Sequence, residues 1–257
     1  MTKDQFLKDV AENELCLSYS SIMALLKSPR HFFERAIKKE MPPTPAMVFG
    51  SMFHCLVLEP NDFHQRYAVS PDFDKRTKAG KEALSNFMSE NIGKDIVSLS
   101  DYSLALDMQK AVLDSPILSP LMQGEKEQVF YTEYDGIKIR GYRDVYSEVF
   151  GTTDLKTAQD ANPKNFKRKA IYDFMYHLQA AIYTLNNDIS YTIVAVDKNC
   201  FTSLMSFSDS ALSKGKTLLA KGVYHYKELQ EETIKGNTDV WLQGYEYWYP
   251  FGYQIDF

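Results

Sequence analysis

The sequence predicts an α/β fold with a helical N-terminal portion, and three observations carry that expectation. Up to about residue 120 the apolar positions recur at helical spacing. From Gln128 to Thr157 the chain turns rich in Val, Ile, Tyr, Phe and Thr around a tight Asp135-Gly136 pair. Beyond that, a helical pattern, a strand pair and another helix follow in order, which fits one α/β unit. With 257 residues, 44% of them hydrophobic, the chain is long enough to bury a full core. We expect a single domain over 1–257, with a mainly helical portion at 1–120, an α/β catalytic core at 121–235 and an aromatic tail at 236–257.

Serines in "LSYSSIMALLKSPRHFFERAIKKE" suit a helix N-cap, and Ile22, Leu25 and Leu26 follow at helical period. Pro29 interrupts that helix, and a second short one runs through Phe32, Phe33, Ala36 and Ile37. The prolines of "MPPTPA" forbid regular structure, whereas "MVFGSMFHCLVLEP" reads as a buried helix carrying one histidine, His54. Two more helices are expected at 79–92 and 100–115. Strands are expected at 127–134, 137–147 and 152–158. Asn162-Pro163 resembles a cap with proline at the first helical position, opening a long helix near 163–186. "SYTIVAVDKNCFTSLMSFS" reads as a hairpin turning at Asp197-Lys198-Asn199. A helix follows from Ser208, weakened by Gly215 and Gly222, and the aromatic end has no periodic signal.

Composition excludes several classes. No run approaches the roughly 18 apolar residues of a membrane span, and the N-terminus has no apolar signal region, so a cytoplasmic protein is expected. Cys16, Cys55 and Cys200 are too scattered for a disulfide framework or a metal cluster. A net charge of −5 gives no global support to a nucleic-acid partner. Local charge does: Lys164, Lys167, Arg168 and Lys169 cluster at one helix start, and Lys75, Arg76, Lys78 and Lys81 precede another.

The chemistry is read from "GYRDVYSEVFGTTDLKTA". Pairing strands 137–147 and 152–158 about Val149 or Phe150 sets Asp144 almost opposite Asp154. Cross-strand Cβ atoms lie roughly 4.5–5.5 Å apart, so two ionised carboxylates there repel unless a cation sits between them. Alternation puts Lys156 on the face of Asp154 and Leu155 on the other. Two hard oxygen ligands beside a lysine describe a magnesium or manganese site for phosphodiester hydrolysis. Lys156 either orients or deprotonates the attacking water or stabilises the transition state. Gln179 and Tyr183, four apart, share one helix face. His54 lies in a helix that has little use for an imidazole unless it meets a carboxylate or a metal. Tyr172 and Tyr176 are candidates for stacking on frayed bases or for packing.

In order, His54, Asp144, Asp154-Leu155-Lys156 and Gln179-x-x-x-Tyr183 resemble the signature of the PD-(D/E)XK nucleases of the RecB-like branch. "LSYSSIMALLKSPRHFFERAI", "MVFGSMFHCLVLEP" and "DKRTKAGKE" further resemble the RecE-type exonucleases of phages and prophages, the exonuclease VIII group, over about residues 17–187. Arg143 stands where the name has proline. The resemblance implies a restriction-endonuclease-like core, a mixed central β-sheet flanked by helices. It implies that Asp144, Asp154, the Leu155 backbone carbonyl and His54 hold Mg²⁺ or Mn²⁺, that Lys156 acts on water and phosphate, and that Gln179 and Tyr183 position the lysine or the DNA. Glu133 is a possible accessory carboxylate. The family further implies 5′-to-3′ degradation of double-stranded DNA from a free end, a ring-shaped homo-oligomer and a RecT-type single-strand annealing partner. Alternatives are a structure-specific endonuclease and a non-catalytic DNA-binding protein on the same fold. An iron-sulfur nuclease of CRISPR adaptation expects four cysteines, and this chain has three.

Overall fold

The computed structural model describes residues 1–37, 43–74, 76–185 and 190–250. Lys75, the start of the proline loop at residues 41 and 42, the end of the helix expected to reach 186, and the last seven residues of the aromatic tail lie outside them. The helices are α1 (Lys3–Ala11), α2 (Tyr19–Lys27), α3 (Pro29–Ile37), α4 (Pro45–Leu58), α5 (Phe63–Arg66), α6 (Lys78–Glu90), α7 (Leu99–Leu113), α8 (Pro163–Arg168), α9 (Tyr176–Tyr183) and α10 (Asp209–Ile234). The strands are β1 (Tyr67–Ser70), β2 (Asp95–Ser98), β3 (Glu125–Tyr134), β4 (Ile137–Ser147), β5 (Gly151–Ala158), β6 (Tyr191–Asp197) and β7 (Thr202–Ser206).

Strands β3 to β7 form one sheet in chain order, antiparallel except for the parallel pair β5 and β6. The mixed central sheet flanked by helices is therefore present. Its turns follow local chemistry: Asp135 and Gly136 both adopt positive φ, 49° and 77°, as a two-residue hairpin between right-twisted strands requires. In β6 alternate residues serve opposite cores. Ile193 and Ala195 pack with α1, α2, α3, α9 and α10, while Val194 and Val196 pack with α4 and α7. Burial on both faces is why "YTIVAV" is apolar at every second residue on either side.

α2 starts as expected, with Ser18 and Ser21 forming a reciprocal capping box, whereas α4 begins at Pro45, inside the proline segment expected to be irregular, because Thr44 caps it and proline suits the first helical position. Pro29 opens α3 rather than only ending its predecessor, because a first-turn residue needs no N–H partner. Three expectations change. β1 and β2, a parallel pair absent from the sequence reading, are four residues each, too short for an alternation signal. The helix expected over 163–186 is broken: α8 passes into a π turn at Lys169–Asp173, and Met175 takes a left-handed conformation at φ 50° before α9. Finally, α10 runs uninterrupted, and its glycines are contact points rather than weak points. A Cβ on Gly215 would fall 1.9 Å from the His177 carbonyl oxygen, and one on Gly222 would fall 2.5 Å from Ile22.

The aromatic end is short 3₁₀ turns, Thr238–Leu242 and Tyr245–Tyr247. Trp241 is fully buried against Phe6 and Phe32, and its indole N–H donates to Thr233 Oγ1 at 2.8 Å. No helix of the described residues is long and apolar enough to cross a membrane. The three cysteines are free thiols; only Cys55 is buried.

Candidate active site

The two edges of β4 are used differently, and the site lies on the edge toward β5. Pairing between β4 and β5 covers only Val145 to Ser147. Beyond it the strands part, with Asp144 and Asp154 at the register position where the next pair would form. The freed backbone groups find other partners, since an unpaired buried N–H or C=O is costly. Leu17 bridges Lys138 and Arg140, its N–H donating to the Lys138 carbonyl at 2.9 Å and its carbonyl accepting from the Arg140 N–H at 2.8 Å. The Tyr183 hydroxyl donates to the Tyr142 carbonyl at 2.6 Å and accepts from the Tyr142 N–H at 3.1 Å. Asp144 Oδ2 accepts from the Leu155 N–H at 2.7 Å. A wedge is thereby held open between the two strands.

Into it project the sequence-predicted groups. Lys156 Nζ lies 2.6 Å from Asp154 Oδ2, and Gln179 Nε2 donates to Asp154 Oδ1 at 3.0 Å. His54 Nδ1, reaching from α4, is 3.8 Å from Asp144 Oδ2. Leu155 points away into the core with Val194 and Val196. Gln179 and Tyr183 do not touch the lysine: the first fixes Asp154 and the second fixes β4. The close approach that Tyr183 needs depends on Gly141, where a Cβ would sit 3.1 Å from its ring and 2.3 Å from Phe130.

Electrostatics follow from burial and crowding. Burial, then the charge of Asp154, push the Asp144 carboxyl above its ordinary pKa, against His54, Lys156 and the Leu155 N–H. Burial pulls the Lys156 ammonium down, but Asp154 and Asp144 outweigh it and leave the pKa above the usual lysine value. The Lys156 ammonium lies over the Tyr176 ring, 5.2 Å from its centroid.

One acidic residue escaped the sequence reading. Glu127 stands in β3 across from Asp144, and the ladder between β3 and β4 skips that one pair because Glu127 adopts φ 50°. Burial, then Asp144 and Glu59, raise its carboxyl to about 7. Ligand atoms of His54, Glu127 and Asp144 all lie within 4.8 Å of one another. Glu133, for which the sequence favours a surface role over that of accessory carboxylate, is exposed at the other end of β3 opposite Lys138. Counting back from the Asp135-Gly136 turn would have found Glu127, since that turn fixes which residue faces Asp144. The donor set of hard carboxylate oxygens and one imidazole fits a divalent cation such as Mg²⁺ or Mn²⁺.

The basic clusters separate. Lys164, Lys167, Arg168 and Lys169 are exposed on α8 and its π turn, one short loop beyond β5. Arg76 instead forks onto Asp74, at 3.0 Å, and Lys78 and Lys81 begin α6, a helix with no buried residue. Arg143 is spent on its own sheet. Its guanidinium lies over the Phe130 and Tyr146 rings, at 4.5 and 4.6 Å, and donates to Gln128.

Comparison with known proteins agrees with this geometry. Residues 18–238 match the family described as a PDDEXK-like domain of unknown function (DUF3799). A solved structure from Eubacterium rectale, named there a "putative exonuclease", superposes with a TM-score of 0.63 at 12% sequence identity, covering 93% of this chain and 88% of that one. At that identity the likeness concerns the fold. No curated protein matches the sequence.

Proposed function

The chain belongs to the family of PDDEXK-like domains, and from that premise we propose that it is a divalent-cation-dependent deoxyribonuclease that degrades double-stranded DNA from a free end. One observation carries the reading: Asp144, Asp154 and Lys156 meet in the wedge between β4 and β5, with His54 and Glu127 beside them. Asp144, Asp154 and the Leu155 carbonyl would hold the cation, with His54 and Glu127 completing its surroundings. Bound there, Mg²⁺ or Mn²⁺ supplies positive charge against the scissile phosphate and makes a water more acidic.

The chain's own groups do the rest. Gln179 locks one oxygen of Asp154, so the other is oriented toward Lys156. Lys156, kept protonated by its two carboxylates, offers an ammonium to a phosphate oxygen and stabilises the charge that builds up as the P–O bond breaks. The Leu155 N–H holds Asp144 in place.

Resemblance to the RecE-type group extends the proposal to 5′-to-3′ polarity, a ring-shaped homo-oligomer, a RecT-type annealing partner and a cytoplasmic role in phage-type recombination. The test is incubation with Mg²⁺ and either linear or covalently closed circular duplex. The linear form should disappear and the circle persist, and Lys156→Ala should spare both. Cutting of the circle would identify an endonuclease, and binding without loss of either form would end the catalytic reading.

A further inference from the structure

The break between α8 and α9 places aromatic rings in solvent beside the site. Lys169–Asp173 is a π turn closed by the Phe174 N–H donating to the Lys169 carbonyl at 3.0 Å. π turns are rare and recur at functional positions. Met175, directly after it, is left-handed at φ 50°, ψ 41°, a conformation that costs a non-glycine residue of the order of 1 kcal/mol or more. The Tyr19 hydroxyl donates to the Phe174 carbonyl and secures the turn from α2. A sequence with good helical periodicity through this segment is thus held out of helix.

What the distortion achieves is the presentation of side chains. Tyr172 is 76% exposed and Phe174 43% exposed, although both are large apolar rings. Phe174 stacks on Tyr176 at 5.2 Å with 18° between planes, and Phe166 stacks on Tyr176 at 6.1 Å. Tyr176 in turn lies under the Lys156 ammonium. A continuous row of rings therefore leads from the lysine to solvent, ending on Phe174. Exposed Lys167 and Arg168 occupy the turn of α8 immediately before it.

We propose that residues 167–174 form a stacking platform for unpaired nucleotides next to the scissile phosphate, Tyr172 and Phe174 receiving base faces and Lys167 and Arg168 the phosphates. The proposal rests on the nuclease reading and specifies its substrate as an end that is unpaired at the site. Every base has a π-face, so such a platform grips without regard to sequence, and neighbouring cations fit the backbone that accompanies those bases. A buried packing role is excluded for Tyr172 by its exposure.

The test is fluorescence anisotropy in Ca²⁺ with three labelled DNA probes: a single strand, a duplex with a single-stranded overhang, and a fully paired duplex sealed at both ends by non-nucleotide linkers. Tyr172→Ala/Phe174→Ala should weaken the single strand and the overhang about tenfold, the scale of lost base stacking, and leave the sealed duplex unchanged. Tyr172→Trp should retain the affinity, because any flat ring serves. Equal affinities for wild type and variant, or equal loss on all three probes, overturns the platform. So does a change in oligomeric state on gel filtration without a change in probe affinity. Should the double variant fail to fold, Tyr172→Ala alone reads the same probes, since its ring is mostly in water. Failure of the wild-type protein to bind any probe overturns the nuclease reading itself.

Discussion

The two edges of β4 differ in a way that separates scaffold from chemistry. Toward β3, pairing runs from Tyr134 and Ile137 to Glu125 and Tyr146 with one interruption; toward β5, it holds for three residues and then opens. The continuous edge needs nothing from side chains. On the open edge, a backbone from Leu17, a phenol from Tyr183 and a carboxylate from Asp144 each replace part of the ladder. The single interruption on the scaffold edge, at Glu127, faces the same acid. Regular pairing is thus given up where the acidic groups converge, and on the open edge those hydrogen bonds stand in for it.

This contrast can be broken in stages. The largest effect belongs to the open edge. Lys156→Ala or Asp154→Asn should lower cleavage of linear duplex by about 10² to 10³-fold or more, the scale of losing one transition-state charge partner; a digestion time course measures this, and calorimetry should show a lowered melting temperature for Lys156→Ala, which strips buried Asp154 of its ion-pair partner. Next comes Tyr183→Phe. It leaves the N–H and carbonyl of Tyr142 without their partner, which should cost about 1–3 kcal/mol in urea unfolding. A loss no larger than that of an exposed Tyr→Phe change would show that the wedge is not held by this phenol.

Cation uptake sharpens the picture further. Mg²⁺ should raise the melting temperature of the wild-type protein, since a ligand that binds only the folded state stabilises it. Asp144→Asn should abolish that rise, while giving a metal-free protein at least as stable as the wild type because a buried, charge-crowded carboxylate has been neutralised. Glu127→Gln should weaken Mg²⁺ uptake about tenfold by calorimetric titration. Glu133→Gln, on the same strand but in solvent, should shift stability by less than about 0.5 kcal/mol and leave uptake alone. Identical behaviour of the two glutamates would remove Glu127 from the site.

Much of this was legible in residues, and the reasons are particular. Asp135-Gly136 names its own turn type, and a two-residue turn fixes the register of β3 on β4, while pairing β4 with β5 about Val149 sets Asp144 opposite Asp154. Alternation separates Lys156 from Leu155. Helical period puts Gln179 and Tyr183 on one face, but it says nothing of depth: both are buried, and their partners are Asp154 and a backbone rather than the lysine. Glu127 can be reached by counting back from the Asp135-Gly136 turn to the position facing Asp144, but its left-handed backbone, which interrupts the ladder there, has no signature in a non-glycine residue. The π turn was illegible for a similar reason: the periodicity of "KRKAIYDFMYHLQ" is compatible with helix throughout, and only the tether from Tyr19 and the packing of α9 select the break. Gly215 and Gly222 read as helix weakeners because propensity counts entropy and cannot see the neighbouring α9 and α2.

The parallel alignment of β5 with β6 has a kinetic corollary. Parallel neighbours cannot be joined by a tight turn, so the chain must travel through residues 159–190 before Ile193 can lie beside Asp154. That excursion contains Gln179, and His54 comes from the opposite, far earlier part of the polypeptide. Contacts so distant along the chain close late, after the entropy of the intervening loops has been lost. A nascent or partly folded molecule therefore has the acids but not their alignment, and hydrolytic capacity should emerge only with the finished fold.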